Sequence, residues 1–339
     1  MRPVATTMSR MQGAVYRLTA AACIATALSG CTSGLGGGSA PEKSVVVPSV
    51  SLDGLYRIVE DGTGTLNGAR VDFLAKSDTQ WAFRTTCDTN GCYAVGAKFD
   101  PEHPSAQPNG FKVADYVDGK WSVISLAEQA PCPRDTGETY KGDRWDIWDI
   151  EPAPDNNVRL NVTVAGTNDC NFINEFSPAI TRVGDAPKDF PWPQPADVPK
   201  RLASFPATAF RGKYTVDYAV ANTGQSQSTE HMDVKTYCLR SEDRCVTTTV
   251  NVDPRDPGTQ YGLQVFKYEY GKYRFDQTLG KKPCRDNLEG IASKTVILPL
   301  PPAPVPDPLT TLTGQAAVTF TGDCQGTDAY NVAFSRTGD

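Results

Sequence analysis

The sequence predicts an all-β chain: two tandem antiparallel meander domains, each a barrel or a sandwich and each carrying two disulfides. Three observations predict it. Runs of five to seven residues that alternate or stay apolar recur between turn residues. No long stretch repeats apolar residues at helical spacing, whereas proline (26) and glycine (29) are plentiful. Eight cysteines fall in two sets of four, at 87, 92, 132 and 170 and again at 238, 245, 284 and 324, with offsets of 151 to 154.

The residues around the cysteines repeat as well. Gly54-Leu-Tyr56 matches Gly212-Lys-Tyr214, Gly119-Lys-Trp121 matches Gly271-Lys-Tyr273, and Ala153-Pro154 matches Ala303-Pro304. Asp169-Cys170 matches Asp323-Cys324, and Arg182-Val-Gly-Asp185 matches Arg336-Thr-Gly-Asp339. Agreement in both spacing and flanks reads as a tandem duplication, residues 52–185 and 210–339. Each copy, about 130 residues, is of domain size.

Taken in order, the chain opens with Arg2, Arg10 and Arg17 and no acidic residue, followed by the apolar run Leu18–Leu28. This is the pattern of an export signal over residues 1–30, and Met8 or Met11 as a start would leave it intact. As a helix the run would reach about 16 Å, half a hydrocarbon core, so it is too short for a stable span. Leu28-Ser-Gly-Cys31 resembles the lipobox of bacterial lipoproteins. The resemblance implies that Cys31 is diacylated and becomes the mature N-terminus on the outer face of the plasma membrane. Cys23 then leaves with the leader and Cys31 carries lipid, so eight cysteines remain, an even number that suits an oxidising compartment. Residues 31–51, rich in Gly and Ser, form a lipidated tether reaching ~25 Å from the bilayer.

The formal charge is −6, and losing three leader arginines makes the mature chain −9. With no Lys/Arg run, this excludes nucleic acid and a polybasic membrane patch. The expected partners are the membrane, through the acyl anchor, and an envelope protein, glycan or lipid; no cofactor is expected.

In the first copy, strands are expected at Leu55–Val59, Gln80–Thr86, Tyr93–Phe99, Phe111–Val117, Trp121–Leu126, Trp145–Ile150, Val158–Val164 and Ala179–Val183. Turn residues separate them, including Asp88-Thr-Asn-Gly91, Pro108-Asn-Gly110 and the hairpin signal Asp118-Gly119. About eight short strands in up-and-down order tend to curl or fold over, which hides the sheet edges. Between the copies, residues 186–209 carry six prolines and favour a semi-rigid polyproline rod holding the domains apart. Phe190 and Trp192 in it either dock on a partner or pack on a neighbouring domain. Pro299–Pro308 reads as an enlarged internal loop of the second copy.

Four cysteines allow three pairings. Cys87 and Cys92 bracket a hairpin tip, and locality favours Cys87–Cys92, Cys132–Cys170, Cys238–Cys245 and Cys284–Cys324. A zinc site would want Cys-x2-Cys spacing or nearby histidines, but four and six residues intervene and the chain has only His103 and His231, so no metal is expected.

The stretch Trp81-Ala-Phe-Arg-Thr-Thr-Cys87-Asp-Thr-Asn-Gly-Cys92, after Gly54-Leu-Tyr56-Arg57, resembles an uncharacterised exported domain of mycobacterial lipoproteins and of the outer portions of some receptor-like serine/threonine kinases. The second copy keeps the opening Gly-x-Tyr and the cysteines but has Val234-Lys-Thr-Tyr-Cys238 in place of the tryptophan segment. The resemblance implies location and architecture rather than an activity.

No catalytic constellation stands out. There is no Gly-x-Ser-x-Gly, and neither histidine has a recognisable partner. Gly62-Thr-Gly64 lacks a following helix, and the sequon Asn161-Val-Thr163 carries no information in a bacterium. Asp143, Asp146, Asp149 and Glu151 beside Trp145 and Trp148 are the one acidic and aromatic cluster, with Trp145, Asp146, Trp148 and Asp149 as possible ligand contacts. On a strand, Asp146 and Asp149 point to opposite faces, which suits an acid/base pair poorly. The sequence therefore predicts a membrane-anchored, non-catalytic binding or interaction module of the cell envelope. The alternatives are a carrier of lipid or a small apolar ligand and, after it, a cell-wall glycan hydrolase.

Overall fold

The computed structural model describes residue 48 and residues 51–72, 75–89, 91–133, 139–154, 157–283 and 288–339. The predicted leader, Cys31, almost all of the tether, and Cys284 lie outside the described residues. No helix among the described residues is long and apolar enough to cross a membrane. The described residues are almost all β, as predicted.

The first sheet comprises β1 (Gly54–Glu60), β2 (Gly64–Leu66), β3 (Ala69–Val71), β4 (Ser77–Asp88), β5 (Gly91–Phe99) and β6 (Lys112–Val117), then β7 (Lys120–Pro133), β8 (Thr139–Pro152), β9 (Val158–Gly166), β10 (Phe172–Phe176) and β11 (Ala179–Gly184). All eight strands expected in this half are present; β2, β3 and β10 are additional. Their hydrogen-bonded order is β11-β1-β4-β5-β6-β7-β8-β9-β10-β2-β3. Tyr56, Phe83, Trp121, Ile150 and Leu160 are buried in its concavity, with Trp81 and Trp148 packed against them.

The second half is a closed barrel of eight antiparallel strands: β12 (Gly212–Val220), β13 (Ser226–Cys238), β14 (Cys245–Asp253), β15 (Asp256–Glu269), β16 (Lys272–Pro283), β17 (Glu289–Pro299), β18 (Thr311–Gly322) and β19 (Gly326–Gly338). The predicted proline-rich loop falls between β17 and β18. Phe210, just ahead of β12, plugs one end, its ring 5.1 Å from Tyr214, 5.1 Å from Tyr273 and 5.2 Å from Phe334. Burial is tolerable for the two phenols because each finds an acceptor: Tyr214 donates to the Leu309 carbonyl at 2.7 Å and Tyr273 to the Ala207 carbonyl at 2.8 Å.

Several repeated residues do the same work in both halves. Asp118-Gly119 and Tyr270-Gly271 have positive φ at both positions, the type I′ geometry that matches the strand twist of a two-residue hairpin. Gly54 (φ 114°) and Gly212 (φ 102°) lie so close to the end of the last strand that a Cβ would stand 2.6 Å from the Gly184 carbonyl and 2.5 Å from that of Gly338. Over each glycine lies an arginine. Arg182 donates to the Asp53 carbonyl at 3.1 Å and pairs with Asp185; Arg336 donates to the Arg211 carbonyl at 3.5 Å and pairs with Asp339.

The halves differ at closure. In the barrel, residues 330–335 of β19 pair with β18 on one side and β12 on the other. In the first half the last strand is interrupted at Ser177-Pro178, and Pro178 has no N–H to offer a ladder. β10 pairs with β9 and with the β2–β3 hairpin, while β11 pairs with β1. The first sheet therefore stays open where a sealed edge was expected.

The linker does not hold the halves apart as a rod. Phe190 is buried against Ala82, Ala97 and Phe99 on the outer face of β4 and β5, stacks edge-on to Trp192 at 4.6 Å, and Arg84 covers the Trp192 ring at 4.4 Å. The halves pack directly through outward-facing apolar side chains: Trp145, Ile147, Ala165 and Ile173 from the first, Val246 and Val265 from the barrel. A polar wedge accompanies them. β15 and β16 pair only between residues 267–269 and 272–274. Into the seam beyond, Asn171 accepts from the Val265 N–H at 2.9 Å and donates to the Leu263 carbonyl at 3.5 Å. Asp169 accepts from the Thr278 N–H at 3.2 Å and hydroxyl at 2.7 Å. At the rim, Arg240 pairs with Asp115, donates to the Pro199 carbonyl at 2.6 Å and lies over the Tyr93 ring at 4.8 Å. Backbone groups that would be orphaned in a lone barrel are satisfied by docking, which a rod would forfeit.

Candidate functional site

The break in the last strand creates the candidate site. A cleft of about 340 Å³ opens between the β1–β2 turn, the bulged end of β7, and β8 to β10. Its apolar wall includes Pro131, Val164, Phe172, Phe176, Pro178 and the Cys132–Cys170 bridge. Its polar groups include Glu60, Asp61, Arg144 and Asn174. Asp61 is committed to the following turn, accepting from the Thr63 N–H at 2.8 Å and hydroxyl at 2.7 Å, bonds that hold its carboxyl below the usual carboxylate range. Arg144 donates twice to Asp146, at 3.1 and 3.0 Å. Asn174 Oδ1 is buried and has no hydrogen-bond partner among the described residues.

Deeper in the same concavity, Lys112 donates to the Ser125 hydroxyl at 2.8 Å and its ammonium lies 5.1 Å from the Trp148 ring. Burial pushes its pKa down, and Asp146 opposes that shift. The barrel carries a comparable lysine: burial lowers Lys294, whose ammonium sits 5.0 Å from the Tyr218 ring.

The four predicted ligand contacts are divided by the strand alternation. Trp148 faces inward, 5.0 Å from Trp81, and Asp146 shares its face. Trp145 is buried between the halves, and Asp149 is held on that outer face by Lys120 at 2.6 Å and Ser122 at 2.7 Å. No single site gathers them. His103 is exposed beside Asp100 at 3.0 Å, and no group of three or more metal-ligating side chains assembles among the described residues. Sequence reasoning missed Asn174 and its neighbours; the alternation Phe172-Ile-Asn-Glu-Phe176, with a polar residue on the apolar face, was the available signal.

Three disulfides follow the local pairing. Cys87 and Cys92 are cross-strand partners on β4 and β5, Cys238 and Cys245 on β13 and β14, and Cys132 joins Cys170 in the turn after β9. Cys324 is also disulfide-bonded, and its expected partner Cys284 is outside the described residues.

The comparisons agree with the resemblance carried by Trp81–Cys92. Residues 48–197 match the family model of the PknI serine/threonine-protein kinase sensor domain. Serine/threonine-protein kinase PknI of Mycobacterium tuberculosis (H37Rv) and its counterpart in Mycobacterium bovis are each 27% identical over 177 residues, covering 50% of this chain and 30% of theirs. The chain thus spans about a third of the length of the curated relatives it matches. Among solved structures, the monomer form of the M. tuberculosis PknI sensor domain aligns with 22% identity and a TM-score of 0.36, over 44% of this chain and 99% of that one. The dimer form aligns with 25% identity and a TM-score of 0.32, over 35% and 80%. Over residues 48–197, the half that holds the open cleft, the chain is similar to the sensor domain of mycobacterial kinase PknI.

Proposed function

We propose that the protein is a lipid-anchored, extracytoplasmic sensing or binding module that takes a small ligand in the cleft of its first half and performs no chemistry on it. The observation that carries this reading is the position of the cleft, within the segment similar to a sensor domain and at the point where the first half departs from the closed barrel. The disulfides suit an oxidising compartment outside the cytoplasm. The lipobox-like Leu28–Cys31 supports an anchor on the membrane surface. The matched cysteine spacing and the paired Gly-under-Arg closures support descent from a duplicated unit. In that reading the barrel serves as the docked support, filled at its Phe210 end, which gives the carrier alternative no foothold there. The hydrolase alternative has Asp146 and Asp149 on opposite faces, each already ion-paired.

The test is native mass spectrometry of protein extracted gently from membranes. A one-to-one small-molecule adduct is expected, and Ser177→Trp, at the exposed rim of the cleft, should abolish it. An adduct that survives Ser177→Trp, or none under any mild extraction, overturns the reading. Separately, palmitate labelling should be lost in Cys31→Ser.

A further inference from the structure

Each half carries a hairpin bridge at the same place in the repeat, and the two bridges differ in burial. Cys87 faces Cys92 across β4 and β5, and Cys238 faces Cys245 across β13 and β14. In the barrel both cysteines lie within the core, 6% and 0% exposed. In the first half Cys92 is buried at 4%, whereas Cys87 stands exposed between Thr86 and Asp88, which are exposed as well. Of the bridged cysteines among the described residues, Cys87 alone is exposed.

A thiolate breaks a disulfide by attacking one of its sulfurs, so an exposed sulfur is open to exchange while a bridge buried on both sides reacts only after its domain opens. The fold depends little on the exposed bridge. The ladder continues on both sides of it, with Thr86 opposite Tyr93 and Asp88 opposite Gly91, and its sequence separation is only 5. A loop that short restrains the unfolded chain least. Accessibility together with a small contribution to folding marks a labile bridge rather than a structural one.

The same geometry selects the reagent. Attack at Cys87 expels Cys92, and the ladder holds that sulfur facing the mixed disulfide it has just left. Cys92 therefore recaptures Cys87 and expels a monothiol before a second monothiol arrives from solution. A dithiol carries its second thiol with it and competes within the same complex.

We propose that Cys87–Cys92 is a thiol–disulfide exchange site for a dithiol reductant, and that its opening loosens the point at which the chain enters β1. One thiolate of the dithiol attacks Cys87 Sγ, the Cys87–Cys92 bond breaks, and Cys92 leaves with the electron pair and takes up a proton. The second thiol loses its proton and attacks the reagent's own sulfur in the mixed disulfide; Cys87 leaves and is protonated in turn. The dithiol ends as a disulfide, and its two electrons have reduced the bridge to two thiols. The entry point lies beside it. The Leu52 N–H donates to the Thr85 hydroxyl at 3.0 Å, the Thr85 N–H donates to Asp53 at 2.7 Å, and Leu52 is buried in the cluster that holds Cys92.

The test treats the whole folded protein with dithiothreitol or, at equal thiol concentration, mercaptoethanol, quenches samples over time with an alkylating agent, and maps the modified cysteines by mass spectrometry. Dithiothreitol should open Cys87–Cys92 at least about tenfold faster than Cys238–Cys245, which waits on opening of the folded barrel, with circular dichroism unchanged. Mercaptoethanol should build up no adduct on Cys87, because Cys92 expels it. After reduction, amide exchange at Leu52 and Thr85 should quicken while the barrel's amides keep their rates. Equal rates at the two hairpin bridges, or reduction of Cys87–Cys92 only together with loss of the dichroism signal, overturns the exchange site. An accumulating mercaptoethanol adduct overturns the selection for a dithiol, and unchanged exchange at Leu52 and Thr85 overturns the coupling to the chain's entry.

Discussion

Val265→Asp separates the docking of the two halves from the folding of either. Val265 is fully buried, yet it points away from the barrel interior, where its neighbours Gln264 and Phe266 lie, and into the seam with Trp145 and Ile147. Losing the buried valine forfeits about 1.5 kcal/mol of apolar transfer, and an unpaired carboxylate in that seam costs several kcal/mol more. Against this stand the Asn171 and Asp169 bonds and the Arg240–Asp115 pair, each worth about 1–3 kcal/mol. The loss is of the same order as those contacts together, so the docked state should be weakened while both halves stay folded, because no core side chain of either is altered. All five tryptophans precede residue 193, so their emission reports on the first half and its face alone. The variant should show a red shift from Trp145 meeting water, together with a larger radius of gyration by small-angle scattering. Unchanged scattering and emission would refute the claim that this apolar seam joins the halves; complete unfolding would show that the barrel cannot stand without it.

Four further outcomes follow from the same geometry. Replacing Cys132 and Cys170 by Ala opens a loop of 38-residue separation and should cost about 4 kcal/mol, against about 2 kcal/mol for Cys87 and Cys92 at a separation of 5; urea unfolding of the two variants should rank them in that order. Phe210→Ala removes the barrel's plug and should cost about 3–5 kcal/mol, read from the same curves. Asn171→Ala should speed amide exchange at Val265 by removing its acceptor, with the barrel's other amides little changed. Burial pushes Tyr214 and Tyr218 up to about 12. The unfolded chain loses those protons near pH 10, so it binds fewer protons than the native state between pH 10 and 12, and stability should fall across that window. Circular dichroism and 295 nm absorbance should therefore change together; early ionisation of every tyrosine without unfolding would contradict the burial.

Legibility in the sequence followed the range of the interactions involved. Strands such as Tyr93–Phe99 and Val158–Val164, and the Asp118-Gly119 turn, are local patterns and were readable residue by residue. The repeated Gly54 and Gly212 were visible as matches, but their reason, a carbonyl too close for any Cβ, belongs to strands far apart in sequence. β10 was missed because five residues ending at Ser177-Pro178 look like loop, and the β2–β3 hairpin because its strands have three residues each. The spacing held a clue: Gly54 to Cys87 is 33 residues and Gly212 to Cys238 is 26, which leaves room for the hairpin. The contact between halves could not be read, since Trp145 and Val265 look like core residues of their own domains; only the tertiary register turns them outward. Trp145, Asp146, Trp148 and Asp149 were singled out by chemistry alone, and alternation along β8 spread them over two faces.

A ring of strands sealed upon itself gives another polypeptide nowhere to lengthen the ladder. The first half ends its order instead at β11, which runs beside β9, and at β3, only three residues long. Partial unfolding that lifts β11 away from β9 would therefore open that half, rather than the barrel, to main-chain pairing with another polypeptide.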